Sequence, residues 1–193
     1  ELKKNTISCF LGKNGSGKTT LINVISGLLA PTKGKVLNNK NSNLNKSSLK
    51  FGYVAQNINL IDDTIKNNII FGNNIQKFDK KNFINSIKHS DINDFIKKLP
   101  KKLNTFVGDR GIKISGGQSQ RIGIARAIYN NPDILILDEF NSNLDASSEQ
   151  KIIKNFNKLK KSKTILIITH KKSIIKFCDN AFLIKDKKLI KIK

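Results

Sequence analysis

Residues 12–19 read GKNGSGKT, between an apolar run, TISCFLG, and a run with helical spacing, KTTLINVISGLL. No other stretch restricts the chain as strongly. Glycines at 12, 15 and 17 permit backbone conformations and a close phosphate approach that a Cβ would hinder. N–H groups of the loop and helix start can cradle phosphates. Lys18 can reach β- and γ-phosphates, and the Thr19 hydroxyl can bind Mg²⁺. A strand, such a loop and a helix in succession point to an α/β fold with its ligand at the strand's carboxyl end.

A second stretch, ISGGQSQRIGIAR at residues 114–126, has the same physical character. Serine and two glycines stand before a helical run, where free N–H groups and the positive dipole end favour an anion. One chain thus carries two phosphate-gripping helix starts far apart in sequence.

The remaining periodicities fill in the frame. The spacing predicts a strand at Thr6–Gly12 and a helix at Lys18–Leu29 with Leu21, Val24, Ile25 and Leu28 on its apolar face. Short strand-like pieces follow, KVL and KFGYVAQ, divided by an Asn/Ser-rich connection at residues 38–48. From about Thr64 to Phe106 the pattern is mostly helical and polar, broken at Pro100, and the 114–126 stretch opens a helix running to about Tyr129. Then come a buried strand at Ile134–Leu137, a helix with Ile152, Ile153, Phe156 and Leu159 on one face, a second buried strand at Thr164–Thr169, and a closing pair, NAFLIKD and KLIKIK. Buried strands alternating with helices imply a parallel sheet covered on both faces.

The strand DILILDEF delivers Asp138 at its carboxyl end, a place suited to holding Mg²⁺, with Glu139 next to it as a candidate general base. His170 follows the strand TILIIT. A lone histidine there reads as structural by itself, or as a group that orients an attacking water. Gln56 closes KFGYVAQ and offers a neutral amide to a metal or a water, which alone says little. Asp145 in SNLDASSEQ suits a helix N-cap. His89 lies in the polar helical region and is expected to have no site role.

Composition bounds the setting. A net charge of +22 permits nucleic-acid or anionic-membrane binding,. The lysines are spread through an Asn- and Ile-rich chain without an Arg cluster, so the charge reads as general basicity, with no specific nucleic-acid partner. No apolar run approaches the ~18 residues of a membrane span. Cys9 and Cys178, in segments that read as buried strand or strand edge, fit free thiols in a reducing compartment. The chain opens on Glu1 and contains no methionine, so a fragment or processed piece is expected.

Taken together, these pieces resemble the ATP-binding cassette of ABC transporters over nearly the whole chain. GKNGSGKT matches the family's P-loop, which implies nucleotide contacts from Gly12, Asn14, Gly15, Ser16, Gly17, Lys18, Thr19 and Thr20. Gln56 matches the Q-loop. ISGGQ, with Ile for Leu, matches the LSGGQ signature at Ser115, Gly116, Gly117 and Gln118. ILILDE matches the strand with the catalytic glutamate, SNLD the D-loop with Asp145, and His170 the switch histidine. The resemblance implies an α/β fold: a P-loop NTPase core (1–63 and 130–193) with a parallel sheet flanked by helices, an inserted α-helical subdomain (64–129), and N-terminal β strands truncated. It implies ATP and Mg²⁺ as ligands, catalysis by Lys18, Gln56, Glu139 and His170, and metal contacts from Thr19, Gln56 and Asp138. It also implies a head-to-tail dimer with a second cassette, in which Ser115 and Gly117 grip the γ-phosphate of the neighbour's ATP. That would account for two anion sites in one chain.

The stretch TFVGDRG (Thr105–Gly111) resembles the TEVGERG segment of exporters, and LIDDTIKNNIIFG (Leu60–Gly72) their DDTIxENIxFG. The resemblance therefore implies ATP hydrolysis coupled to export, a transmembrane domain fused upstream, and a place at the cytoplasmic face of the inner (plasma) membrane. The wording looks most like half-transporters that flip lipids or lipid-linked oligosaccharides. The alternative is a soluble cassette ATPase acting on DNA or the ribosome. Departures from the family pattern are Ser119 after SGGQ, Phe140 and Asn141 after the glutamate, HKKS for HRLS, and no place for the adenine-stacking aromatic before Gly12.

Overall fold

The computed structural model describes residues 1–37, 49–73 and 78–193. The Asn/Ser-rich connection at 38–48 lies outside the described residues, as do residues 74–77 of the polar helical region.

Among the described residues six strands form one sheet: β1 (Ile7–Leu11), β2 (Phe51–Val54), β3 (Ile134–Asp138), β4 (Thr164–Thr169), β5 (Asn180–Lys185) and β6 (Lys188–Lys191). Their order is β2-β3-β4-β1-β5-β6. The pairs β2–β3, β3–β4, β4–β1 and β1–β5 are parallel, and β5–β6 is antiparallel. Every residue of β1 and β4 is buried, as the near-continuous apolar runs require of parallel strands covered on both faces. The β5–β6 connection is Asp186–Lys187, both at positive φ, the signature of a two-residue type I′ turn. All of β6 is exposed, and its lysines suit a sheet edge.

The helices are α1 (Lys18–Ile25), α2 (Ile65–Ile69), α3 (Lys80–His89), α4 (Asn93–Lys98), α5 (Gly116–Tyr129) and α6 (Ala146–Leu159). Strand alternation distributes the core. Cys9, Leu11, Leu135, Leu137, Ile165 and Ile167 face a cluster with Ile152, Ile153 and Phe156 of α6. Their neighbours Phe10, Ile136, Leu166 and Ile168 face the opposite side, against Ile22 of α1, with Phe182 stacked on Phe10. A third cluster joins Ile65 and Ile69 of α2, Phe83 of α3 and Ile96 of α4 to Ile122, Ala125 and Tyr129 of α5. Helix α5 thus serves two cores, since Ile124, Ala127 and Ile128 pack into the sheet cluster. Arg126 fastens it to α2 through Asn68 O at 2.8 Å and Asn68 Oδ1 at 3.0 Å.

Two expectations need correction. Helix α1 stops at Ile25 instead of reaching Leu29. Gly27 at φ 77 turns the chain, and Leu28, expected on the apolar face, is 77% exposed. In KVL only Leu37 makes a bridge, and no strand forms there among the described residues. The stretch from Thr64 to Phe106 is mostly helical, as expected, although α2 is a single short turn and Thr64 makes an antiparallel bridge with Phe106. Asn-rich sequence with scattered apolar residues supports short capped turns better than long helices.

Candidate functional site

Because β1 to β4 run parallel, their carboxyl ends share one edge of the sheet. That edge carries the Gly-rich loop after β1, Gln56 after β2, Asp138 and Glu139 at the end of β3, and His170 after β4. The chain's local chemistry is thereby gathered by topology.

The loop is shaped by its glycines. Gly15 and Gly17 lie at φ 77 and 95, where a side chain would be strained. A Cβ on Gly12 would collide with Ser16 Oγ and meet Ile184 O at 3.0 Å. The first turn of α1 has no side-chain cap among the described residues, so its N–H groups remain available to an anion. Lys18 is 8% exposed. Its ammonium donates to Gly12 O at 2.8 Å and Lys13 O at 2.9 Å, which anchors it beside the loop.

Across the cleft, Asp138 Oδ2 accepts a hydrogen bond from the Tyr53 hydroxyl at 2.8 Å. Burial pushes the Asp138 carboxyl up, and Glu139 adds to this, while the Tyr53 bond and the Lys18 charge oppose it. Burial and the carboxylate also push the Tyr53 hydroxyl up. Glu139 is buried and sits at φ 47. His170 Nδ1 lies 3.1 Å from Glu139 Oε1 with hydrogen-bond geometry and 3.0 Å from Oε2 without it. The histidine ring is 62% exposed, so it forms the open wall of the cleft.

Asn14, Gly15, Gly17, Lys18, Thr19, Thr20, Gln56, Asp138, Glu139 and His170 line one cleft of about 430 Å³. Gly12 and Ser16 stand behind this lining; Ser16 Oγ is buried with no hydrogen-bond partner among the described residues. An uncapped helix start, a buried ammonium and an orphaned hydroxyl fit a polyphosphate. The oxygen donors at Thr19, Gln56 and Asp138 fit Mg²⁺, which keeps water and substrate oxygens as its other ligands. Among the described residues no group of three His, Cys, Asp or Glu side chains forms a self-sufficient metal cage.

Ser115, Gly116, Gly117 and Gln118 lie elsewhere, in a second cleft of about 740 Å³ that also takes in Asn143 and Asp145. Among the described residues the two clefts share no lining residue. Ser115 caps α5: its Oγ accepts from Gln118 N at 3.4 Å while Gln118 Oε1 accepts from Ser115 N at 3.0 Å. This reciprocal capping box follows from the Ser-x-x-Gln spacing. A Cβ on Gly117 would meet Asn143 O at 2.9 Å, so the glycine is needed for the loop before α6 to pass. Asp145 caps α6, accepting from Ser148 N at 2.9 Å, Ser148 Oγ at 2.6 Å and Ser147 Oγ at 2.7 Å. Those bonds hold its carboxyl well below the usual range.

Sequence reasoning missed Tyr53 and Asn143. Tyr53 reaches Asp138 because β2 pairs with β3, and no local signal announces that pairing. Asn143 acts through its backbone, which residue type does not report.

A family model described as ABC transporter matches residues 1–142. A putative export ATP-binding/permease protein of Rickettsia typhi is 38% identical, over 98% of this chain and 33% of its own length. The ATP-dependent lipid A-core flippase 2 of Colwellia psychrerythraea is also 38% identical, with the same coverage. The solved structure of a bacterial Atm1-family ABC exporter with ATP bound superposes with a TM-score of 0.85 at 30% identity, over 97% of this chain and 33% of that one. The chain thus spans about a third of the length of these relatives.

Proposed function

The chain belongs to the ABC transporter family, and from that membership we propose that it is a cassette that binds ATP with Mg²⁺ and hydrolyses it to power export. The observation that carries this reading is the single cleft holding Lys18, Asp138, Glu139 and His170 around an uncapped helix start. In it the loop N–H groups and Lys18 hold the β- and γ-phosphates. Thr19, Gln56 and Asp138 would hold Mg²⁺, which when bound would supply charge neutralisation on phosphate oxygens. Glu139 takes a proton from the attacking water as the bond from the γ-phosphorus to the ADP oxygen breaks, and His170 steadies the water and the γ-phosphate.

The separation of the two clefts supports a head-to-tail pair of cassettes. The α5 start, with Ser115, Gly116, Gly117 and Gln118, would close on the neighbour's γ-phosphate. Asp145, engaged in capping α6, would contribute from the same loop. The core at 1–63 and 130–193 would then form the nucleotide-binding unit, and 64–129 the helical unit that presents the signature.

Among the described residues no helix is long and apolar enough to cross a membrane. The relatives are about three times longer and two of them are named permease or flippase, which supports attachment to a transmembrane domain at the cytoplasmic face of the inner membrane. The relatives named lipid A-core flippases support lipid or lipid-linked oligosaccharide as the cargo class.

Mixing two variants of the intact protein tests the shared site. Ser115→Arg blocks the helix start by bulk, and Lys18→Ala removes the phosphate cation. In a head-to-tail mixed dimer one composite site collects both lesions and the other is intact. The mixture should hydrolyse ATP faster than either parent. Once mixed dimers are shown to form, activity no higher than the parents' average overturns the arrangement.

A further inference from the structure

The residues that depart from the family pattern next to Glu139 and His170 meet one another. Asn141, two positions after Glu139, is fully buried and donates from Nδ2 to Glu149 Oε2 at 3.1 Å. Lys171, directly after His170, donates from Nζ to the same Glu149 Oε2 at 3.3 Å and to Asn141 O at 3.2 Å. With the contact between His170 Nδ1 and Glu139 Oε1 at 3.1 Å, these bonds close a ring that runs from Glu139 through Asn141, Glu149 and Lys171 to His170 and back. Glu149 stands in the first turn of α6, one turn after the cap Asp145. The loop leading into that turn lies on the α5 start, where Asn143 O leaves no room for a Cβ on Gly117.

We propose that Asn141, Glu149 and Lys171 form a clamp that positions the Glu139–His170 pair and couples it to the first turn of α6. The inference rests on the reading of Glu139 as general base. A base must stand within hydrogen-bond reach of the water it deprotonates, so a tether one or two residues from each partner sets the geometry of the chemical step without touching substrate. The Glu149 side chain is only 15% exposed, and among the described residues Lys171 is the one ammonium bonded to it. Removing Lys171 leaves that carboxylate under-compensated and frees it to move. The loop into the same first turn rests on the α5 start through Asn143, so a shift of α5 on closing over a neighbour's phosphate is passed through that loop and Glu149 to Glu139 and His170. These are positioning residues; none lines the nucleotide cleft.

The test uses Lys171→Ala, Glu149→Gln, the pair together, and Lys171→Arg in the intact protein, with Glu139→Gln alongside. Lys171→Ala should lower kcat about tenfold or more, the scale on which small misplacements of reacting groups act. KM for ATP should stay within about twofold, because phosphate binding is untouched. Lys171→Arg should restore kcat, and the double variant should be no worse than either single. The His170 ring resonance, identified in the intact protein by its loss in a His170→Gln variant, is followed by NMR without nucleotide. It should move in Lys171→Ala and return in Lys171→Arg. Unchanged kcat, a parallel loss of kcat and thermal stability that Arg does not rescue, or an unmoved His170 resonance each overturns the clamp. If Glu139→Gln keeps turning over, the general-base reading fails instead, and the NMR arm still decides the clamp.

Discussion

Glu139 occupies the left-handed region at φ 47, which costs a non-glycine residue on the order of 1–3 kcal/mol. The turn is held from both sides: Glu139 N donates to Ile168 O at 3.0 Å, and Glu139 O accepts from Ser142 N at 3.0 Å. Sheet pairing thus sustains a backbone that the residue would not adopt alone, and the carboxylate is aimed into the cleft. Glu139→Gln keeps this shape but cannot accept a proton. Steady-state turnover should fall by ~10²-fold or more while ATP binding persists. Phosphate release at the wild-type rate would remove Glu139 from the role of base. At the same scale, Lys18 was legible from spacing alone, since an ammonium after Gly-Ser-Gly on a helix start has few other uses. Tyr53 was not, because its partner Asp138 lies 85 positions away in sequence.

At the scale of elements, the buried strands and the end of α5 at Tyr129 were legible and the end of α1 was not. Runs such as TILIIT are too apolar for anything except a covered strand, whereas Leu28 and Leu29 continue the α1 pattern but lie past the turn at Gly27 and stay exposed. Helix α3 packs on α6, with Asn155 Nδ2 donating to Lys88 O at 3.2 Å. His89 sits in that contact, buried, with Nδ1 lacking a partner among the described residues. Burial holds its imidazole below the ordinary pKa, with Lys88 and Lys158 acting in the same direction against a backbone contact at Asn155. The folded state therefore prefers neutral imidazole and the unfolded chain binds more protons. The associated stability is present above the ordinary histidine pKa of ~6.5 and is lost as pH falls through it. Thermal melts between about pH 7.5 and about pH 5.5 should show a steeper fall in Tm for the wild type than for His89→Leu. Equal slopes would show that His89 does not titrate with folding.

On the scale of the whole molecule, α5 makes one body of two cores. Ile124 packs with the sheet and Ile122 with α2 to α4. Ile124→Ala and Ile122→Ala should each cost ~2–5 kcal/mol, as buried large-to-small changes do. Unfolding should remain a single transition in both variants, because neither core keeps a complete surface without α5. Two separate transitions in either variant would show that the helical region folds independently. Two kinds of information meet in this chain. Gly-rich loops, strand-length apolar runs and cap spacings act within a few residues, so their local form could be read directly: a parallel α/β sheet, a Gly-rich loop before a helix, an acidic strand end and a second Gly-rich helix start with its Ser-x-x-Gln cap. The strand order β2-β3-β4-β1-β5-β6, the meeting of Glu139 with His170, and the separation of the Ser115 cleft from the Lys18 cleft depend on which surfaces bury each other between segments distant in sequence. Only burial of the assembled layers selects among those pairings, because each strand's apolar faces would pack equally well against several others.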